Sequence, residues 1–207
     1  LVGSEMCIRD RISGSTNEYF NKKYGIITYS GTLAIEVALK SLKLKRKSKV
    51  LISSNVCYSI INTVLKLGLV PVIKTPNNGL FFTNDDIDVV IDKEIIDCIL
   101  LVHQFGILNN ISKRKYKELN IKIIEDVAQA WDLKDNNGMN NIGIDSDIVV
   151  TSFGSTKPIS YGIGGGLFFD NKKIFKEIDF CDNESREKQG IILSYAYPLC
   201  KEIKLDY

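Results

Sequence analysis

Two hydrophobic patterns alternate along this chain. Short unbroken apolar runs, bounded by polar or glycine turns, predict buried strands over 25–30, 49–53, 71–73, 98–102, 122–124, 147–151 and 165–169. Between them, apolar residues recur three and four apart, the spacing of one helix face. That pattern predicts helices over 33–42, 59–67, 85–91, 112–119 and 171–178. Ile35, Ala38, Leu39 and Leu42 mark the face of the first of these, Gly68 ends the second, and Asn84 lies near the cap of the third. A looser spacing of Tyr19, Phe20 and Tyr24 predicts a short helix over 15–24.

Strands alternating with helices specify an α/β domain. The expected architecture is a three-layer sandwich around a mostly parallel, seven-stranded sheet. Residues 1–11 carry neither period and no apolar signal-peptide core. They look like a translated sequencing adaptor and are set aside as a non-native leader, with the native sequence starting near Ile12. The domain then spans 12–180. The pattern fades over 181–207, which are expected to begin a truncated carboxyl-terminal region.

Composition narrows the function classes. Of 207 residues, 44% are hydrophobic and 25% charged, which is ordinary for a globular protein. A net charge of +2 is too small to argue for nucleic acid or an anionic membrane surface. No apolar run approaches the roughly 20 residues of a membrane span. Cys7, Cys57, Cys98, Cys181 and Cys200 are scattered without paired spacing, against a disulfide framework or a metal site. A reducing cytoplasm is the expected compartment.

The residues able to do chemistry fall at predicted strand ends: Ser30, Ser54, His103, Asp126, Ser152 and Lys157. Parallel sheets bind ligands at that edge. Ser30-Gly-Thr32 turns a strand into a helix and offers backbone N–H groups to a phosphate, although a plain helix cap is the simpler reading. Ser152 adds a hydroxyl. Asp126 closes a buried strand and its charge needs a partner. Lys157 follows the sixth strand; it is either a solvated loop lysine or an amine nucleophile toward carbonyls. A cofactor with a phosphate, an aldehyde and a basic ring nitrogen uses all three kinds of group. Pyridoxal 5′-phosphate (PLP) is such a molecule. His103 is equally consistent with a strand-end residue satisfied by a hydrogen bond.

Four segments then carry a resemblance: Tyr29-Ser-Gly-Thr-Leu-Ala34, Val102-His-Gln-Phe-Gly106, Ile124-Glu-Asp-Val-Ala-Gln-Ala130, and Ser152-Phe-Gly-Ser-Thr-Lys157 followed by Gly162-Ile-Gly-Gly165. In order and approximate spacing they resemble the large domain of the DegT/DnrJ/StrS sugar aminotransferases, PLP enzymes of fold type I. The likeness runs from about Tyr19 to Ile178. It implies that Lys157 joins the cofactor aldehyde and shuttles the proton. Asp126 would pair with the pyridine nitrogen, Gln129 would face the ring oxygen, and Gly31, Thr32 and Ser152 would hold the phosphate. It further implies transfer of an amino group, usually from glutamate, to a keto carbon of a nucleotide-linked sugar, in a homodimer whose active site is shared between subunits.

The chain departs from that family at two places. Cys57, beside Tyr58, stands nearest the position of an aromatic ring stacked on the cofactor. Ile163 replaces a glutamate in the glycine-rich return. Lys157 argues against the branch that carries histidine there and acts as a dehydratase. A lyase or desulfurase-like fold type I enzyme, or a non-catalytic relative, is the alternative. Relatives carry a further small domain, so the chain as it stands is expected to be inactive alone.

Overall fold

A computed structural model describes residues 20–109, 111–131, 142–160 and 162–174. The strands, β1 (Tyr24–Thr28), β2 (Lys49–Ser53), β3 (Val70–Lys74), β4 (Cys98–Val102), β5 (Lys122–Asp126), β6 (Ile148–Ser152) and β7 (Gly165–Phe169), form one sheet in the order β1-β7-β6-β5-β4-β2-β3. β7 runs antiparallel to both β6 and β1, and the other neighbours pair in parallel. The central strands are apolar on both faces because helices cover both. On one side lie α1 (Gly31–Ser41) and α2 (Tyr58–Lys66), packed with Val50, Ile52, Leu100, Ile124 and Val150. On the other lie α3 (Asn84–Ile91) and α4 (Lys113–Glu118), packed with Leu51, Ile99, Leu101 and Ile123. Each fully buried aliphatic side chain of this kind contributes about 1.5–3 kcal/mol.

Local sequence sets the boundaries. The side chain of Ser30 accepts the N–H of Leu33 at 3.1 Å and caps α1. Thr83 and Asp86 form a reciprocal capping box at the start of α3. β3 tolerates Pro71 because it is an edge strand: Val70 N–H donates inward to Ser48 O, so the alternate position, Pro71, has its nitrogen on the outer side.

Two expectations need correction, and one element is new. The described part of the 15–24 helix, Phe20–Tyr24, is not helical: Asn21 has φ 52° and Tyr24 opens β1. Phe20 is buried instead against Phe168, with ring centroids 4.7 Å apart, so tertiary packing overrides a weak helical spacing. β5 extends through Glu125 and Asp126, whose carboxylates are held inside the fold. A tight left-handed turn over Gln104–Gly106, closed by Ile107 N–H donating to Gln104 O at 2.8 Å, follows β4 where the sequence shows no element. Residues 1–11, 15–19, 175–178 and 181–207 lie outside the described residues, and so do the leader, helix-end and carboxyl-terminal expectations placed on them.

Candidate active site

Side-chain alternation decides which strand-end residues meet. Asp126 follows Ile124 onto the α1/α2 face of the sheet, and Ser152 follows Ile148 and Val150 onto the same face. Helix α1 starts beside them. A β-carbon built on Gly31 would lie 2.7 Å from Ser152 Cβ and 3.2 Å from its Oγ. Gly165 seals the other side: a β-carbon there would sit 2.5 Å from Gly31 N and 2.6 Å from Ser30 O. Two glycines thus let the amino end of α1 press against β6 and β7. Gly31 is half-buried and Thr32 exposed, at the positive end of the helix.

Asp126 is only 5% exposed. Among the described residues, its hydrogen-bond donor is the backbone N–H of Ala128, at 2.9 Å from Oδ1. Burial pushes its carboxyl up from the ordinary value, against the opposing pull of the Ala128 N–H and the Lys157 charge. Lys157 is half-buried, and its N–H donates to Gly154 O at 3.0 Å to close the turn after β6. Lys157 and Asp126 both act electrostatically on Cys57, which sits at the start of α2. Cys57 is exposed, and its Sγ accepts from Ser59 Oγ at 3.2 Å. The hydroxyl and N–H of Ser59 lower the thiol pKa and outweigh burial, and the Lys157 charge adds a smaller lowering.

Gln129 is half-buried and accepts the N–H of Phe105 at its Oε1, 3.1 Å away. A backbone donor on Oε1 fixes the amide orientation and leaves Nε2 as its other, donating end. Gln104 Nε2 donates to Asn55 O, tying the turn after β4 to the loop that carries Cys57.

Lys157, Asp126, Ser152, Gly31, Thr32 and Gln129 all border this one edge of the sheet. His103 does not share their face. Its side chain points to the α3/α4 side, is fully buried, and meets Glu125 Oε2 at 3.0 Å through Nε2. Ser54 is exposed; its N–H donates to Lys74 O at 3.1 Å. Ile163 is exposed between Gly162 (φ 81°) and Gly164 (φ 109°). Sequence reasoning missed Glu125, although a glutamate inside the apolar run Ile123-Ile-Glu-Asp-Val127 was a visible sign of a buried charge.

The arrangement fits PLP on two observations. The Asp126 carboxylate is buried with one hydrogen-bond donor among the described residues, which suits a protonated ring nitrogen. The gap at Gly31 and Ser152, at a helix start, suits a phosphate.

Comparison with known proteins agrees. The family description "DegT/DnrJ/EryC1/StrS aminotransferase family" matches residues 10–195. A GDP-perosamine synthase of Vibrio cholerae is 25% identical over 191 residues, covering 91% of this chain and 50% of that protein. A 3-oxo-glucose-6-phosphate:glutamate aminotransferase of Bacillus subtilis is 29% identical over 165 residues, covering 77% of this chain and 35% of that protein. The crystal structure of ntda from Bacillus subtilis with bound cofactor PMP superposes with a TM-score of 0.71 at 28% identity, over 82% of this chain and 38% of that one. The chain therefore spans half or less of the length of these relatives.

Proposed function

The chain belongs to the DegT/DnrJ/EryC1/StrS aminotransferase family, and from that premise we propose that residues 12–180 are the PLP-binding part of a transaminase acting on a nucleotide-linked keto sugar. The amino donor in this reading is an amino acid, glutamate, and the product feeds cell-surface polysaccharide or related sugar synthesis. The cofactor is pyridoxal 5′-phosphate, in keeping with the PMP-bound neighbour. One observation carries the reading: a half-buried lysine and a donor-poor buried aspartate act on each other at the same sheet edge as a helix start opened by Gly31.

When bound, PLP supplies an electron sink for charge that develops on the carbon bearing the amino group. The protein supplies the rest. Lys157 Nζ would offer the amine for the cofactor aldehyde and then hold and return the proton. Asp126 would keep the ring nitrogen protonated. Gly31, Thr32 and Ser152 would hold the phosphate. Gln129 Nε2 would face the ring oxygen as a donor. Transamination as against a lyase or desulfurase-like reaction is supported by the aminotransferase family description and by the Bacillus subtilis relative named as an aminotransferase.

A cytoplasmic homodimer completes the reading. Cys57 and Cys98 are free thiols, and no helix among the described residues is long and apolar enough to cross a membrane. Tyr58, Phe105 and Ile163 are exposed at the edge of the site, as a second subunit would require.

The test uses the full-length protein. PLP should give a visible absorbance band that is absent in Lys157→Ala, and glutamate should discharge it more efficiently than other amino acids. No band in the unaltered protein would overturn the assignment.

A further inference from the structure

Behind the site, on the opposite face of the sheet, lies a buried charged cluster that the proposed chemistry does not use. Glu125 Oε1 accepts from Lys113 Nζ at 3.0 Å and from Gly143 N–H at 2.9 Å. Glu125 Oε2 meets His103 Nε2 at 3.0 Å. His103 Nδ1 accepts the backbone N–H of Asn109 at 3.0 Å. A backbone N–H only donates, so Nδ1 is bare and Nε2 carries the proton. That proton is directed at Glu125. Both oxygens of Glu125 therefore face N–H donors, and only a carboxylate satisfies them all.

Buried ion pairs are poor sources of stability compared with apolar packing. What this cluster holds is the return of the chain from His103 to Asn109. Asn109 Nδ2 adds a hydrogen bond to Val102 O at 2.8 Å. Inside the return, Phe105 has φ 55° and Gly106 has φ 71°. The left-handed region is unfavourable for a phenylalanine. Phe105 is 66% exposed, so packing of its side chain does not hold that conformation in place. The turn delivers one hydrogen bond into the site, from Phe105 N–H to Gln129 Oε1.

We propose that Glu125 and His103 are positioning residues that act through the Phe105 turn to orient the amide of Gln129 toward the cofactor. The chain of contacts runs from a carboxylate, through a histidine locked in one tautomer, to a strained turn, and then to the amide that faces the ligand. The proposal rests on the PLP reading of the site.

Glu125→Gln tests it in the full-length protein. A carboxamide has one acceptor and one donor end, so in either orientation a donor meets a donor: at His103, or at Lys113 and Gly143. PLP affinity, measured by fluorescence titration, should fall about tenfold, the value of one net hydrogen bond. Gln129→Ala should cost a similar amount. The double variant should be no more than about threefold weaker than Gln129→Ala, because both changes break one chain of contacts. Losses that multiply to about a hundredfold would overturn the proposal. A second measurement needs no folded Glu125 variant. The ¹⁵N spectrum of the imidazole, assigned by its disappearance in His103→Gln, should show Nε2 protonated and Nδ1 bare. Protonation of Nδ1 would overturn the relay. Failure of the unaltered protein to bind PLP would instead overturn the cofactor reading on which the relay depends.

Discussion

Gly31 and Ser152 touch where helix α1 begins: a β-carbon on the glycine would fall 2.7 Å from the β-carbon of the serine. No side chain fits there unless the helix start and β6 move apart. Gly31→Ala should therefore lower PLP affinity at least about tenfold and cost the apo-protein about 1–3 kcal/mol through overpacking. Fluorescence titration and urea unfolding of the same samples separate the two effects. An alanine variant that binds PLP normally would remove Gly31 from the phosphate site.

Asp126 and Glu125 are neighbours on β5 with opposite titration behaviour. The folded pKa of Asp126 is raised, chiefly by burial, so its ionised form weighs against folding. Asp126→Asn should make the PLP-free protein more stable than the unaltered one at neutral pH. The difference should vanish as pH falls below the unfolded carboxyl value of about 3.9. The same variant should still attach PLP through Lys157 yet lose about a hundredfold in kcat, since the ring nitrogen loses its charged partner.

The folded pKa of Glu125 is depressed. Burial alone would raise it, but the hydrogen bond from His103 and the Lys113 charge outweigh burial and hold it at about 2. Its contribution, of order 3 kcal/mol, is fully present above pH 4.5 and is lost as pH falls from there toward 2. The stability advantage over Glu125→Gln should be constant above about pH 5 and shrink below it. Urea midpoints across that range check the sign.

The two described thiols should behave differently. Cys57 is exposed with a lowered pKa, and Cys98 is fully buried with its thiol pushed up by desolvation. A disulfide reagent followed by peptide mapping should label Cys57 in the native protein and leave Cys98 untouched until unfolding. Bound PLP should slow labelling of Cys57, because Lys157 and Asp126 lie within electrostatic reach of it. Equal rates with and without PLP would place Cys57 outside the site.

Much of this was legible in the sequence. The runs Lys49–Ser53, Cys98–Val102 and Gly165–Phe169 match β2, β4 and β7 residue for residue, because strands buried on both faces read as unbroken apolar stretches. Asp126, Ser152 and Lys157 could be placed at or just beyond strand ends from the runs over 122–124 and 147–151. Which face each side chain takes was harder to see. His103 stood in line with the others, yet one step of alternation turns it away from Asp126 and onto Glu125. The cluster around Glu125 draws on four separate segments, and no local pattern joins His103, Lys113 and Gly143 to one carboxylate. The Phe105 turn was hidden for a related reason: nothing in Gln104-Phe-Gly106 itself demands a left-handed phenylalanine, and contacts made elsewhere hold it.

Pro71 has a consequence for how the molecule behaves in company. The outer rim of β3 carries exposed Val70 and Ile73 and would otherwise be an inviting template for a strand from another molecule. A pyrrolidine ring stands on that rim where an N–H donor would have to be. An incoming strand would lose a hydrogen bond and meet a steric block at the same step. The β3 edge is thereby capped against edge-to-edge growth, and Pro71→Val should make aggregation rise more steeply with concentration than in the unaltered protein, as light scattering would record.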